Sequence, residues 1–316
     1  MATAEQVKSL VKAHIENDDE KFRTVVLQIA AHEARAGHDN SARELKSQIE
    51  KITKRSTIYR FDTGSQLCLF TTPSFRIKDL IVTEEVNIKI ERILMEYRNR
   101  RKLQSHGLAN RRKILFEGVS GTGKTLTASV IASELNLPLF TVQMDRLVSK
   151  FMGETSAKLR QIFDSMSVNE GVYFFDEFDA IGSDRNLDNE VGEMRRILNS
   201  FLQFIEQDCS ESLIISATNN QKLLDKALFR RFDDVLLYDL PTDDEIRRLF
   251  EYKLGAYSPS FISDRSLINE AMGLSHAEIV RVCDDAIKSA VLTETTITEQ
   301  EIKNLIKERH LLYKEA

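Results

Sequence analysis

At 316 residues the chain can hold two or three domains and a sizeable core, and its 42% hydrophobic and 29% charged residues mark it as globular rather than disordered. A net charge of -5 and an isoelectric point near 5.8 argue against a dedicated nucleic-acid binder while allowing a local basic patch. No stretch approaches the ~20 apolar residues of a membrane span, and the polar start Met1-Ala2-Thr3-Ala4-Glu5 is no secretory signal, so the expectation is a cytoplasmic protein. Cys68, Cys209 and Cys283 lie far apart without metal-ligand spacing, which indicates neither a disulfide framework nor a zinc site.

Residues 1–54 carry helical stripes, with Val7, Leu10, Val11 and Ile15, then Phe22, Val25, Val26 and Ile29, then Leu45, Ile49 and Ile52. Thr3-x-x-Gln6 and Ser41-x-x-Glu44 have the capping-box spacing, and Gly37 stops a helix, so the segment reads as a three-helix unit. A unit this small is near the lower limit for independent stability, and a docking or oligomerisation role suits it better than scaffolding. Residues 55–75 lose the period and read as a linker, although Gln66-Leu67-Cys68-Leu69-Phe70 is apolar enough to lie against a surface. Helical character returns over 84–102 with Val86, Ile90, Ile93 and Leu94 inward. The basic cluster Arg98, Arg100, Arg101, Lys102, Arg111, Arg112 and Lys113 reads as a solvated helix face.

Ile114-Leu115-Phe116 then runs into Gly118-Val119-Ser120-Gly121-Thr122-Gly123-Lys124-Thr125, a full match to G-x-x-x-x-G-K-[ST] between a strand and a helix. The chemistry requires this order. Consecutive backbone N–H groups must face one hollow, and Gly121 and Gly123 let backbone approach phosphate oxygens. Lys124 supplies a point charge for the β- and γ-phosphates, Thr125 a hydroxyl for Mg²⁺, and the helix beginning near Leu126 its positive end.

Leu139–Val142 reads as a strand and 157–166 as a helix. The apolar strand Val172-Tyr173-Phe174-Phe175 ends in Asp176-Glu177, and the expectation places it beside the P-loop strand. Asp176 would hold the Mg²⁺ shell and Glu177 would activate water. Residues 190–207 form a long helix, Leu213-Ile214-Ile215 a buried strand running into Asn219, and Val235–Tyr238 the last strand. The fold class is α/β, a P-loop parallel sheet covered on both faces over 76–241, with chemistry at the strands' carboxyl ends. Residues 242–316 are wholly helical, with capping-box spacings at Thr242-x-x-Glu245, Ser275-x-x-Glu278 and Thr298-x-x-Glu301 and stops at Gly255 and Gly273, and read as a separate C-terminal helical domain.

The ordered motifs GVSGTGKT, SKFMGE, VYFFDEFDAIG, ISATNN, ALFRRFD and GLSHAEI make residues 75 to 310 resemble the AAA+ ATPases, in particular the AAA subgroup that includes katanin, spastin and the membrane-bound AAA proteases. The resemblance implies an ATPase using ATP and Mg²⁺, a homo-oligomer of six copies, and a protein client or effector. It implies that Asn219 is the sensor-1 amide orienting the attacking water, and that Arg230 and Arg231 form the segment inserted into a neighbouring copy's site, without deciding which is the principal finger. Lys150-Phe151-Met152-Gly153 matches the pore loop that grips an extended polypeptide, and residues 183 to 190 fall where a second pore loop would be. His276 and Ala277 stand at the lid's nucleotide-facing turn, His276 where glycine is common. Val119-Ser120 replaces the usual Pro-Pro, the finger segment lacks its usual Pro-Gly insertion, and no sensor-2 arginine is evident at the lid turn.

The leading expectation is a ring-forming motor that couples ATP hydrolysis to threading or remodelling a protein. A second is a nucleotide-gated interaction switch serving a separately encoded effector, such as a protease or a HORMA-type signalling protein in a bacterial or phage-related defence system. A DNA-acting loader is disfavoured by the acidic isoelectric point and the aromatic pore loop.

Overall fold

The computed structural model describes residues 67–147, 154–178, 190–219, 229–255, 257 and 264–314, with residues 25–27, 29–31, 33, 38 and 43 of the N-terminal stretch. The chain divides into two compact units, Met1–Arg60 and Phe61–Ala316. In the first, Val25, Val26, Ile29 and Ala30 are buried in helical backbone, in agreement with the second apolar stripe. The other two stripes lie outside the described residues.

The second unit is built on a six-stranded sheet in the order β1-β3-β4-β5-β2-β6, with β1 (Cys68–Thr71), β2 (Lys113–Gly118), β3 (Leu139–Val142), β4 (Val172–Phe175), β5 (Leu213–Thr218) and β6 (Asp234–Tyr238). Pairings among β2 to β6 are all parallel, and β1 is an antiparallel addition whose Leu69 faces Thr141 and Phe70 faces Phe140. Two expectations change here. The apolar pentad of the presumed linker supplies an edge strand. The acid-ending β4 is not beside the P-loop strand, because β5 pairs with both and lies between them.

The helices are α1 (Glu84–Arg98), α2 (Arg100–Ser105), α3 (Lys124–Leu135), α4 (Met144–Leu147), α5 (Glu154–Val168), α6 (Glu190–Gln207), α7 (Asp243–Leu254), α8 (Arg265–Ala271), α9 (His276–Thr293) and α10 (Glu299–Lys314). The helix expected over 84–102 is thus two, broken at Asn99 (φ -105°, ψ 16°). Thr83 caps α1 by accepting from Val86 N–H at 3.4 Å.

Each central strand is apolar on both sides because each sheet face is covered. Ile114, Phe116, Phe174, Ile215 and Ala217 pack with α1 and α3 residues Ile90, Ile93, Leu94, Val130 and Ile131 in one core. On the other face Phe175 meets Phe163 and Phe201, with ring centroids 6.2 and 5.0 Å away. Residues of α7 to α10 gather a further core around Phe250, Leu267, Ile279, Val282 and Ile302. The stretch leading into α1 serves two of these cores: Leu80 and Val82 join the first, and Ile81 joins the helical one. Among the described residues no helix is long and apolar enough to cross a membrane.

Candidate active site

The site forms where β2, β4 and β5 end. Strand β2 delivers the loop at Gly118, whose position admits no side chain: a Cβ there would lie 1.9 Å from the Tyr238 carbonyl oxygen, opposite it on β6. The first glycine of the motif therefore answers to strand packing. Thr122 Oγ1 donates to Val119 O at 2.7 Å and braces the loop, and Gly123 is the N-cap of α3, so the helix's unpaired N–H groups face the hollow. Lys124 is 7% exposed, and its Nζ donates to Gly118 O, Val119 O and Asn219 Oδ1 at 2.7, 2.8 and 2.7 Å. The bond to Asn219 ties the end of β5 to the loop.

Asp176 follows β4 and is fixed from two directions. Its Oδ2 accepts from Thr125 Oγ1 at 2.8 Å and its Oδ1 accepts from Glu177 N–H at 2.9 Å. A hydroxyl and a carboxylate, hard oxygen donors in contact at the start of α3, suit Mg²⁺, which takes few protein ligands and keeps several waters. Thus Asp176 reaches Thr125 even though β5 separates their strands.

Glu177 is exposed and adopts a left-handed conformation, φ 49°. For a residue with a Cβ this costs roughly 1 kcal/mol, and such strain persists only where neighbours impose it. Here Asp176 holds the peptide from one side, and Phe178, 2% exposed with its ring 4.4 Å from Phe201 of α6, anchors the other. The Glu177 carboxylate is thereby turned off the line of β4. Glu117, one residue ahead of the loop on β2, is 5% exposed, and among the described residues neither an ion pair nor a hydrogen bond reaches it. Sequence reading passed it over, although a charged residue closing an apolar strand was a visible signal.

The α7–α10 helices touch the loop through the start of α9. Ala277 N–H donates to Gly121 O at 2.9 Å, and a Cβ on Gly121 (φ 78°) would lie 2.6 Å from Ser275 Oγ. Gly121 thus admits the helical layer as well as phosphate. Ser275 caps α9 by accepting from Glu278 N–H. The His276 ring turns into the helical layer: it is 8% exposed, neither ring nitrogen is hydrogen-bonded, and Nε2 lies 3.6 Å from Glu245 Oε1. Burial alone would raise the Glu245 carboxyl, but His276 and the Thr242 backbone and hydroxyl outweigh it and hold the group below the ordinary carboxylate range.

Arg230 and Arg231 are not brought to this site. Asp233 N–H donates to Lys113 O at 2.7 Å, which sets the arginine turn at the amino-terminal ends of the strands. Gly118 lies at the far end of β2, about 17 Å away at about 3.3 Å per residue. Lys150, Phe151, Met152 and Gly153, and the residues before Glu190, lie outside the described residues.

The basic cluster is largely consumed by structure rather than solvated. Arg98 pairs with Glu134, Arg100 with Glu170 and Glu211, Arg111 with Glu96 and Asp234, and Arg112 with Asp208. Burial pushes the Cys68 and Cys283 thiols up to about 12, so both remain protonated and take no nucleophilic part.

A P-loop cradle, a braced Asp176 and an adjoining Glu177 define a nucleoside-triphosphate hydrolase. The family described as "ATPase family associated with various cellular activities (AAA)" matches residues 114–240. The chain is 35% identical over 303 residues to an uncharacterized AAA family ATPase, y4kL, of Sinorhizobium fredii, covering 92% of this chain and 90% of that one. It is 30% identical to a putative 26S proteasome regulatory subunit homolog of Methanothermobacter marburgensis, over 83% of this chain and 71% of that protein. It is 29% identical to the peroxisomal ATPase pex6 of Schizosaccharomyces pombe, over 83% of this chain and 29% of the relative. The crystal structure of the FIGL-1 AAA domain superposes with a TM-score of 0.60 at 20% identity, over 77% of this chain and 86% of that one, and shares the fold. The chain belongs to the AAA family of ATPases and hydrolyses ATP.

Proposed function

We propose that the protein is a ring-forming, ATP-driven remodelling motor, six copies acting in the cytoplasm on a protein client, with each catalytic site completed by the next copy. The observation that carries this reading is the position of the arginine turn. Arg230 and Arg231 sit a strand length from their own P-loop, beside Lys113, and a guanidinium there serves chemistry only in a site that another copy brings to it. In the assembled site Lys124 and the α3 N-terminus bind the phosphates, and Thr125 and Asp176 hold Mg²⁺, which when bound neutralises phosphate charge. Asn219 orients the attacking water and Glu177 takes its proton. Residues 76–241 act as the ATPase domain and 242–316 as its lid, which reads nucleotide through Ala277 and Gly121. The helices of 1–54, joined through the residues that precede β1, select the client.

Three experiments test the reading. Specific activity should climb with protein concentration until assembly is complete; a monomeric preparation with full turnover would overturn it. Glu177→Gln should bind ATP, lose about a hundredfold or more in turnover and retain its client, whereas Lys124→Ala should bind neither. Phe151→Ala should leave ATPase near normal and abolish remodelling, and intact remodelling in that variant would favour the nucleotide-gated switch.

A further inference from the structure

The turn carrying Arg230 and Arg231 treats its two guanidiniums differently. Its backbone is rigidly placed: Phe232 is buried, Phe232 N–H donates to Phe229 O at 3.3 Å, and Asp233 Oδ2 accepts from the N–H groups of Arg112 and Lys113, both at 2.9 Å. With the backbone fixed, the two arginines are distinguished by what their side chains meet. Arg231 Nη1 is paired with Glu206 in the last turn of α6. Arg230 is exposed, and no described residue forms an ion pair or hydrogen bond with its guanidinium.

The pairing has an electrostatic reason. The last turn of α6 contains no basic residue, so Glu206 stands uncompensated at the negative end of the helix macrodipole. Arg231 offsets both the carboxylate and the exposed carbonyls. An ion pair with side chains 33% and 53% exposed adds little to stability, so its consequence is chiefly geometric. It commits Arg231 to α6 and leaves Arg230 pointing outward from a clamped turn. A guanidinium that must first leave a carboxylate is a poor candidate for entering another copy's phosphate site, and one without a partner is a good one.

We propose that Arg230 is the catalytic guanidinium supplied to the neighbouring copy's ATP, and that Arg231 is a positioning residue held by Glu206. This division rests on the reading that sites are completed between copies. The test uses the full chain at concentrations where activity no longer rises. Arg230→Ala should lose about a thousandfold in kcat, the scale of a finger supplied in trans. Nucleotide affinity measured with a fluorescent ATP analogue should not change, because the turn's own P-loop lies at the other end of β2. Glu206→Arg and Arg231→Glu should each lose about tenfold in kcat, and the double swap Glu206→Arg/Arg231→Glu should recover most of it. The milder Glu206→Gln should lose severalfold without a change in melting temperature, and high salt should narrow its gap to the unaltered protein.

Recovery in the double swap is the decisive outcome, since it leaves no arginine at 231. A double swap as inactive as Arg230→Ala, or a collapse in Arg231→Ala with Arg230→Ala near normal, would overturn the division while leaving catalysis between copies standing. Full turnover with both arginines replaced by alanine would instead remove the underlying reading.

Discussion

The two ends of the parallel sheet are built to opposite rules. At the amino-terminal ends charge is neutralised except at Arg230: Arg112 Nη1 pairs with Asp208 Oδ2 and its Nη2 donates to the Asp208 carbonyl, while Arg111 meets Glu96 and Asp234. At the carboxyl ends charge is left in tension, with Glu177 in a left-handed conformation and Lys124 buried against three oxygen acceptors. The same strands carry both ends, so local propensity does not account for the difference. The end that must change its partners in each cycle keeps groups whose best partners arrive with the ligand, and the other end secures the strands that make this tolerable.

The comparison is broken or sharpened by a short series of substitutions. The largest effect on stability belongs to Arg112→Ala, which leaves the Asp208 carboxylate, 3% exposed, without its countercharge and with only the Ser210 N–H and hydroxyl as donors; we expect a loss of about 3 kcal/mol in urea unfolding, with kcat per folded molecule little changed. If turnover fell as steeply as stability, the division of labour between the ends would fail.

The smallest effect is pH-dependent. The Glu245 carboxyl is held below its ordinary value of 4.5, so its contribution is complete above that value and disappears as pH falls through the lower value of the folded state. Thermal unfolding between pH 7 and 3 should therefore show the advantage of the unaltered protein over Glu245→Gln shrinking only below about pH 4.5. An advantage that shrank nearer neutrality would overturn the assignment to Glu245.

Much of the carboxyl end was legible in the sequence, since an apolar run ending in GVSGTGKT and another ending in Asp176-Glu177 state their chemistry locally. The arrangement of these ends was not. That β5 lies between β4 and β2 depends on pairings between residues such as Leu115 and Ser216, about which neither strand's own pattern speaks. Strand β1 was hidden because four residues among threonines and serines show too little alternation to separate an edge strand from a linker. Part of the basic cluster expected to form a solvated face is paired instead, because partners such as Arg112 and Asp208 meet only once the chain has folded. Capping residues fared better, because Thr242 and Ser275 act on N–H groups three residues away.

The alternation of Leu80, Ile81 and Val82 between two hydrophobic cores bears on where the chain can be cut. A recombinant fragment begun at Glu84, where helix α1 starts, would strip a buried residue from the helical core and two from the sheet's core, and would also discard the strand that closes the β3 edge. Trimming toward a minimal ATPase should therefore stop before Leu67, and a fragment begun at Glu84 should melt well below one begun ahead of Leu67.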